Sequence, residues 1–139
     1  RIVDETLRLW PVAPGYFRQA RHDTAIGNGE FHFHTGDWVF VVLLAAQRDP
    51  TAWGADADQF RPDRFLPEEI RKLGPRIYKP FGTGPRACIG RQFALHEMML
   101  TLAAVLHQFD LEPDPGYQLE VSEMMTLKPD GLRLKMHRR

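Results

Sequence analysis

The stretch Phe81-Gly82-Thr83-Gly84-Pro85-Arg86-Ala87-Cys88-Ile89-Gly90 contains the only cysteine of the chain and stands directly before its longest helical pattern. Glycine and proline at this density predict a loop of special backbone geometry. Gly84 and Gly90 permit a positive φ, or the close approach of another group to the backbone. A thiol just before a helix start meets oriented N–H groups that favour its deprotonated form. Arg86, close before Cys88, can set a cation beside an anionic group of a cofactor. Phe81 offers the sulfur an apolar shield, so the reading is of a thiolate held by backbone donors in a dry loop.

Downstream, Arg91 to Phe109 carries Phe93, Leu95, Met98, Leu102, Val105 and Leu106. It is apolar on most of its circumference, which predicts a core helix. Upstream, residues 1–10 read as a helix with Ile2, Val3, Leu7 and Trp10 on its apolar stripe. Pro11 ends it. Val12 to Phe17 is expected to be extended and irregular. Gly27-Asn28-Gly29-Glu30 between Thr24–Ile26 and Phe31–His34 predicts a hairpin. Trp38 to Leu44, a β-branched and aromatic run, predicts a buried strand. Residues 47–66 are rich in Asp, Arg and Pro but carry Trp53, Phe60 and Phe65, which predicts an ordered meander with buried aromatics. A flexible linker would lack them. Pro67 to Leu73 predicts a short helix, and Gln118 to Met136 two strands around the turn Lys128-Pro129-Asp130-Gly131. The fold class is α+β.

At 139 residues the chain has room for one domain. Hydrophobic residues at 43 % and charged residues at 26 % give an ordinary globular balance. Lys plus Arg and Asp plus Glu both count 18, so the net charge is zero. That excludes the basic footprint of a nucleic-acid binder and bulk attraction to an anionic membrane. One cysteine excludes an intrachain disulfide and the usual zinc spacings. No apolar run is long enough for a helical membrane span. A soluble, cytoplasmic chain is expected. It opens at Arg1 inside a helical pattern and closes at Arg138-Arg139, and is expected to be a piece of a longer domain.

Other constellations carry less. His32 and His34 share a strand face but have no third ligand at a suitable spacing. His96 and His107 have no cysteine partner nearby. Asp56, Asp58 and Asp63 are too mixed with arginine to suggest a calcium loop. Glu5 and Arg8, three apart on the first helix, share a face and can pair.

The cysteine stretch resembles the haem-binding signature of cytochromes P450, Phe-x-x-Gly-x-Arg-x-Cys-x-Gly. Phe81, Gly84, Arg86, Cys88 and Gly90 all stand in place. Glu5-x-x-Arg8 and the later Phe60-Arg61-Pro62-Asp63-Arg64-Phe65 resemble two further segments of that family, in the family's order. Leu9-Trp10-Pro11, Gly90 to Glu97 and Thr126 to Pro129 are similar to bacterial and fungal self-sufficient fatty-acid hydroxylases fused to a flavin reductase. Gln47, before Arg48-Asp49, departs from a position where relatives often have His, and puts a local hydrogen bond in doubt.

The resemblance implies the C-terminal portion, residues 1–139, of a mainly α haem domain with small β-sheets. It implies haem, with Cys88 as the thiolate ligand of iron and the catalytic centre. Such a ligand favours cleavage of the O–O bond, and neighbouring groups tune its potential. Arg86 is implied to pair with a haem propionate and Phe81 to pack near the sulfur. Gly90 and Ala94 would let the helix lie close to the porphyrin, and Gly82 and Ile89 complete the cofactor-binding positions. Glu5, Arg8 and Arg64 are implied to form a buried structural network. Ala13, Pro14 and Met125 fall in two stretches implied to line a substrate pocket. The implied activity is a haem-thiolate monooxygenase acting with O2 on a small apolar substrate such as a fatty acid. Electrons would come from NADPH through a flavin reductase carrying FAD and FMN. A non-catalytic haem-binding fragment and a peroxide-using haem-thiolate enzyme are the alternatives.

Overall fold

The computed structural model describes residues 1–139. Helix α1 (Ile2–Leu9) opens it. Strand β1 (Gly15–Gln19) follows, then a hairpin of β2 (Thr24–Ile26) and β3 (Phe31–Phe33), then β4 (Trp38–Val42). Two short helices, α2 (Leu43–Ala46) and α3 (Pro50–Trp53), lead into a 3-10 turn at Pro62–Phe65 and helix α4 (Pro67–Ile70). A second 3-10 turn, Gly84–Arg86, precedes the long helix α5 (Arg91–Gln108). Strands β5 (Phe109–Pro113), β6 (Glu120–Glu123), β7 (Leu127–Asp130) and β8 (Leu134–Arg138) complete the chain. The strands form four antiparallel pairs: β1 with β4, β2 with β3, β5 with β8 and β6 with β7.

Helix α1 ends where the sequence says it should. Pro11 forces Trp10 out of helical geometry, to φ −131° and ψ 70°. The β2–β3 hairpin turns through positive φ at Gly27, Asn28 and Gly29, which suits their side chains. Strand β1 is more regular than expected, pairing in register with β4 from Gly15 opposite Val42 to Gln19 opposite Trp38. Asp49 caps α3 by accepting from the Thr51 N–H at 2.8 Å, with Pro50 at the first helical position.

Only 11 of the 139 residues are buried, so the core is small and easily located. It lies where α1 meets the meander. Leu7 and Leu9 of α1 are buried, and Trp53, Ala57 and Phe65 form a cluster against which Leu73, Ile77 and Tyr78 pack. The rings of Phe65 and Tyr78 meet edge-on at 4.7 Å, and those of Trp53 and Phe65 are 6.1 Å apart. Such aromatic pairs add about 0.5–1.5 kcal/mol beyond the area they bury. The ordered meander is therefore present.

Several expectations are corrected. Phe60 is half-exposed, turned outward against Trp10 at 6.5 Å instead of inward with Trp53. Trp38 to Leu44 is not one buried strand. The strand stops at Val42, the chain turns helical at Leu43, and Trp38 and Phe40 are exposed. Helix α4 ends at Ile70 rather than at Leu73: Arg71 keeps helical dihedrals, but the N–H groups of Lys72 and Leu73 donate only three residues back, to the carbonyls of Glu69 and Ile70. The last hairpin turns at Met124-Met125-Thr126, not at Lys128–Gly131. Lys128, Pro129 and Asp130 lie within β7, while Gly131, with φ 56°, begins the passage to β8. Pro129 is tolerated because β7 pairs on one side only, as an edge strand. Helix α5 exists as predicted, but none of its residues is buried within the chain. No helix is long and apolar enough to cross a membrane.

Candidate haem-thiolate site

The site is built on a charge block behind it. Glu5 and Arg8 are both fully buried. Arg8 Nε donates to Glu5 Oε2 at 2.7 Å and Arg8 Nη2 to Glu5 Oε1 at 2.9 Å, a bidentate pair. The remaining Arg8 donors reach the carbonyls of Gln47 at 2.9 Å, Ala57 at 2.6 Å and Gln59 at 3.1 Å. Arg8 thus takes three carbonyls of the meander and stacks over the Trp53 ring at 4.9 Å. Arg64 completes the trio, its Nε 3.5 Å from Glu5 Oε1. Its other nitrogens donate to the carbonyls of Trp53 at 2.8 Å and Asp56 at 2.6 Å. The structure therefore brings Glu5, Arg8 and Arg64 together.

Sequence reasoning missed two members of this block and left a third, Gln47, open. The Arg61 N–H donates to Glu5 Oε1 at 2.7 Å. Asp56 pairs with Arg64 at 2.7 Å and with Arg61, and these hydrogen bonds hold its carboxyl down at about 2. Gln47 is fully buried and donates to the Leu7 and Arg8 carbonyls. The hydrogen bond placed in doubt at that position is thus made by an amide.

The cysteine loop leaves this block at Tyr78. The Tyr78 hydroxyl donates to Asp4, 3.1 Å from Oδ1. Burial first, then the Asp4 charge, raises its pKa and keeps it protonated. A turn follows in which Gly82 N–H donates to the Lys79 carbonyl at 3.0 Å. Gly82 and Gly84 take φ of 68° and 71°, the left-handed region that glycine enters without strain. Cys88 N–H donates to the Phe81 carbonyl at 2.8 Å and closes the loop. The backbone thus fixes the cysteine through its amide. No hydrogen bond reaches the sulfur itself, and Cys88 is exposed, so the expected backbone donors to the thiolate and the dry loop are absent from this chain.

Helix α5 starts at once after the loop, with Ala94 N–H donating to the Gly90 carbonyl at 2.9 Å. Gly90 has an ordinary negative φ; its value is proximity, since a Cβ there would stand 3.9 Å from Cys88 Sγ. Phe81, Gly82 and Ala94 are half-buried, while Ile89 and Arg86 are exposed. The two predicted pocket stretches also meet. Leu127 N–H donates to the Val12 carbonyl at 2.8 Å, which sets Ala13 and Pro14 beside the hairpin whose tip carries Met125. Beyond Ala94, Met98 and Leu102 of α5 line an apolar groove of about 740 Å³ with Leu7 of α1 and Leu127 of β7.

These residues fit a haem. The donor is a single sulfur, and a cysteine thiolate is one of the protein groups that hold haem iron. A bare glycine, Gly90, lies beside it at the start of α5, Ala94 follows in the helix's first turn, and apolar Phe81 and Ile89 stand in the loop. Arg86 stands free at the loop surface as a cation for a carboxylate.

The chain belongs to the cytochrome P450 family, whose family model matches residues 1–136. Membership implies a cysteine-ligated haem as cofactor. The chain is 47 % identical over 135 residues to a self-sufficient cytochrome P450 monooxygenase, CYP505E5, of Aspergillus kawachii, covering 96 % of this chain and 13 % of that protein. It is 44 % identical over 133 residues to the bifunctional cytochrome P450/NADPH–P450 reductase 2 of Bacillus subtilis, covering 96 % of this chain and 12 % of that protein. Its structure is similar to the crystal structure of a cytochrome P450, CYP102L1, with a TM-score of 0.92 and 63 % identity, over 99 % of this chain and 30 % of that one. The chain therefore spans a small part of the relatives it matches, and the small sheets and helices seen here are part of a P450 fold.

Proposed function

We propose that residues 1–139 form the C-terminal, haem-binding part of a monooxygenase haem domain, with Cys88 as the thiolate ligand of the iron. The observation that carries this reading is the sole cysteine, on a loop closed by Cys88 N–H to Phe81 and hung from a buried charge block. Bound there, haem would supply the activation of O2, one atom going into the substrate and the other to water. The residues of this chain have supporting tasks. Arg86 binds a propionate. Gly90 and Ala94 leave room for the ring, and Gly82, Ile89 and Phe81 frame it. Glu5, Arg8 and Arg64 hold the meander still behind the loop. Ala13, Pro14 and Met125 orient an apolar substrate and exclude water. The adaptable side chain of Met125 suits a flexible chain such as a fatty acid. Electrons come from NADPH through a flavin reductase, a partner supported by the reductase that the name of the Bacillus subtilis relative includes.

The test is the carbon-monoxide difference spectrum of the reduced, haem-loaded full-length protein. The parent is expected to show the strongly red-shifted Soret band of a thiolate adduct, and Cys88→Ala to abolish it. A thiolate-type band that survives in Cys88→Ala removes the assignment.

A further inference from the structure

We infer that Gln47 is a positioning residue that ties the cysteine loop to the buried charge block; this rests on the reading of Cys88 as the iron ligand. The connection is a run of hydrogen bonds joined through Lys79 and the Phe81–Gly82 peptide. Gln47 Nε2 donates to the carbonyls of Leu7 at 3.1 Å and Arg8 at 3.2 Å, at the end of α1. Gln47 Oε1 accepts from the Lys79 N–H at 3.1 Å. The Lys79 carbonyl accepts from Gly82 N–H at 3.0 Å, and the Phe81 carbonyl accepts from Cys88 N–H at 2.8 Å. From the other end, Arg8 Nη1 donates to the Gln47 carbonyl at 2.9 Å, so backbone and side chain of Gln47 are both held by α1.

Two features single out this residue. Residues 80–90 make no hydrogen bond to any element except α5, so whatever fixes the loop relative to α1 acts at its root. The root has two tethers, Tyr78 on Asp4 and Lys79 on Gln47, and the second is one residue nearer to Cys88 in sequence and ends on the fully buried Gln47. The site also demands a side chain with donors at one end and an acceptor at the other. A primary amide supplies both. An aliphatic side chain of similar size leaves the partly buried Lys79 N–H and the two α1 carbonyls without these partners, and such groups are costly to strand.

The test reads the thiolate-type fraction of the reduced carbon-monoxide adduct and the midpoint potential in the haem-loaded full-length protein. Gln47→Leu is expected to lose most of the thiolate-type fraction. Gln47→His is the conservative variant. A neutral imidazole keeps one donor for α1 and one acceptor for Lys79, whereas the imidazolium has donors only. The charged groups around the position are Arg8, with Glu5 and Arg64 beyond it in the block, and Arg48, whose guanidinium donates to the Leu9 carbonyl. Burial and the Arg8 cation both disfavour the imidazolium, so titration is expected below the ordinary value of about 6.5.

Above that titration Gln47→His should match the parent. As pH falls through it, the thiolate-type fraction should drop reversibly and the potential shift, with an unchanged far-ultraviolet dichroism and a parent that stays flat. A Gln47→Leu variant with the parent's thiolate fraction and potential overturns the role. So does a Gln47→His variant that is as flat as the parent, or that lacks the thiolate form at every pH. A parent with no thiolate-type adduct overturns the reading of Cys88 itself, and the inference with it.

Discussion

Arg8 donates all of its N–H groups to acceptors of the chain, two to Glu5 and three to meander carbonyls. Removing Arg8 therefore does more than delete an ion pair. It leaves Glu5 as a buried charge and several carbonyls without donors. Arg8→Ala is expected to destabilise the full-length protein by about 3–5 kcal/mol, read from its urea midpoint. Replacing both partners, as Glu5→Gln with Arg8→Met, strands no charge and should cost less than Arg8→Ala alone. Asp56 responds to acid in a defined direction. Its folded pKa lies near 2 and its ordinary value at 3.8, so its contribution is full above about 4 and fades as pH falls toward 2. Asp56→Asn should flatten the acid side of the stability profile in that window, measured as melting temperature against pH. An unchanged acid limb would show that Arg64 and Arg61 gain nothing from the carboxylate.

Among the elements, the β1–β4 pair has the tightest local constraint. A Cβ on Gly15 would lie 2.5 Å from the Phe40 ring and 2.6 Å from the Val41 carbonyl oxygen. The ring could swing away, but the backbone oxygen cannot without opening the pair. Gly15→Ala is expected to cost about 1–3 kcal/mol, the range for overpacking. It should also raise amide exchange in Tyr16 to Gln19 while leaving the β2–β3 hairpin protected. That hairpin and α1 were legible in the sequence because local rules define them: an Asn-Gly turn and a proline stop. The charge trio came instead from the resemblance of its two segments to those of a known family. The β6–β7 turn was not legible. Lys128-Pro129-Asp130-Gly131 has the chemistry of a turn, yet the pairing of Glu123 with Leu127 places the reversal at Met124–Thr126. Tertiary pairing overrode local preference there. Asp56 and the amide of Arg61 had no signal beyond ordinary surface charge, because their importance arises only once the meander folds onto Glu5.

Helix α5 shows how far burial can depart from pattern. Its apolar residues surround the helix, as read, but Phe93, Met99, Leu100, Leu102 and Leu106 are exposed. So much apolar surface favours association. The 139-residue chain on its own is expected to elute as an oligomer in size-exclusion chromatography. Phe93→Ser combined with Leu100→Ser should shift it toward monomer. Elution of the parent chain as a monomer would contradict the association. The partners of Arg8 also imply an order of events. They run from Glu5 to Gln59, and Arg64 follows soon after, all upstream of Cys88. A ribosome synthesising this chain releases the complete charge block before it releases the cysteine, and segments generally fold in that order. The platform can be assembled while Cys88 is still inside the exit tunnel, so the cysteine loop emerges beside a supporting frame that already exists.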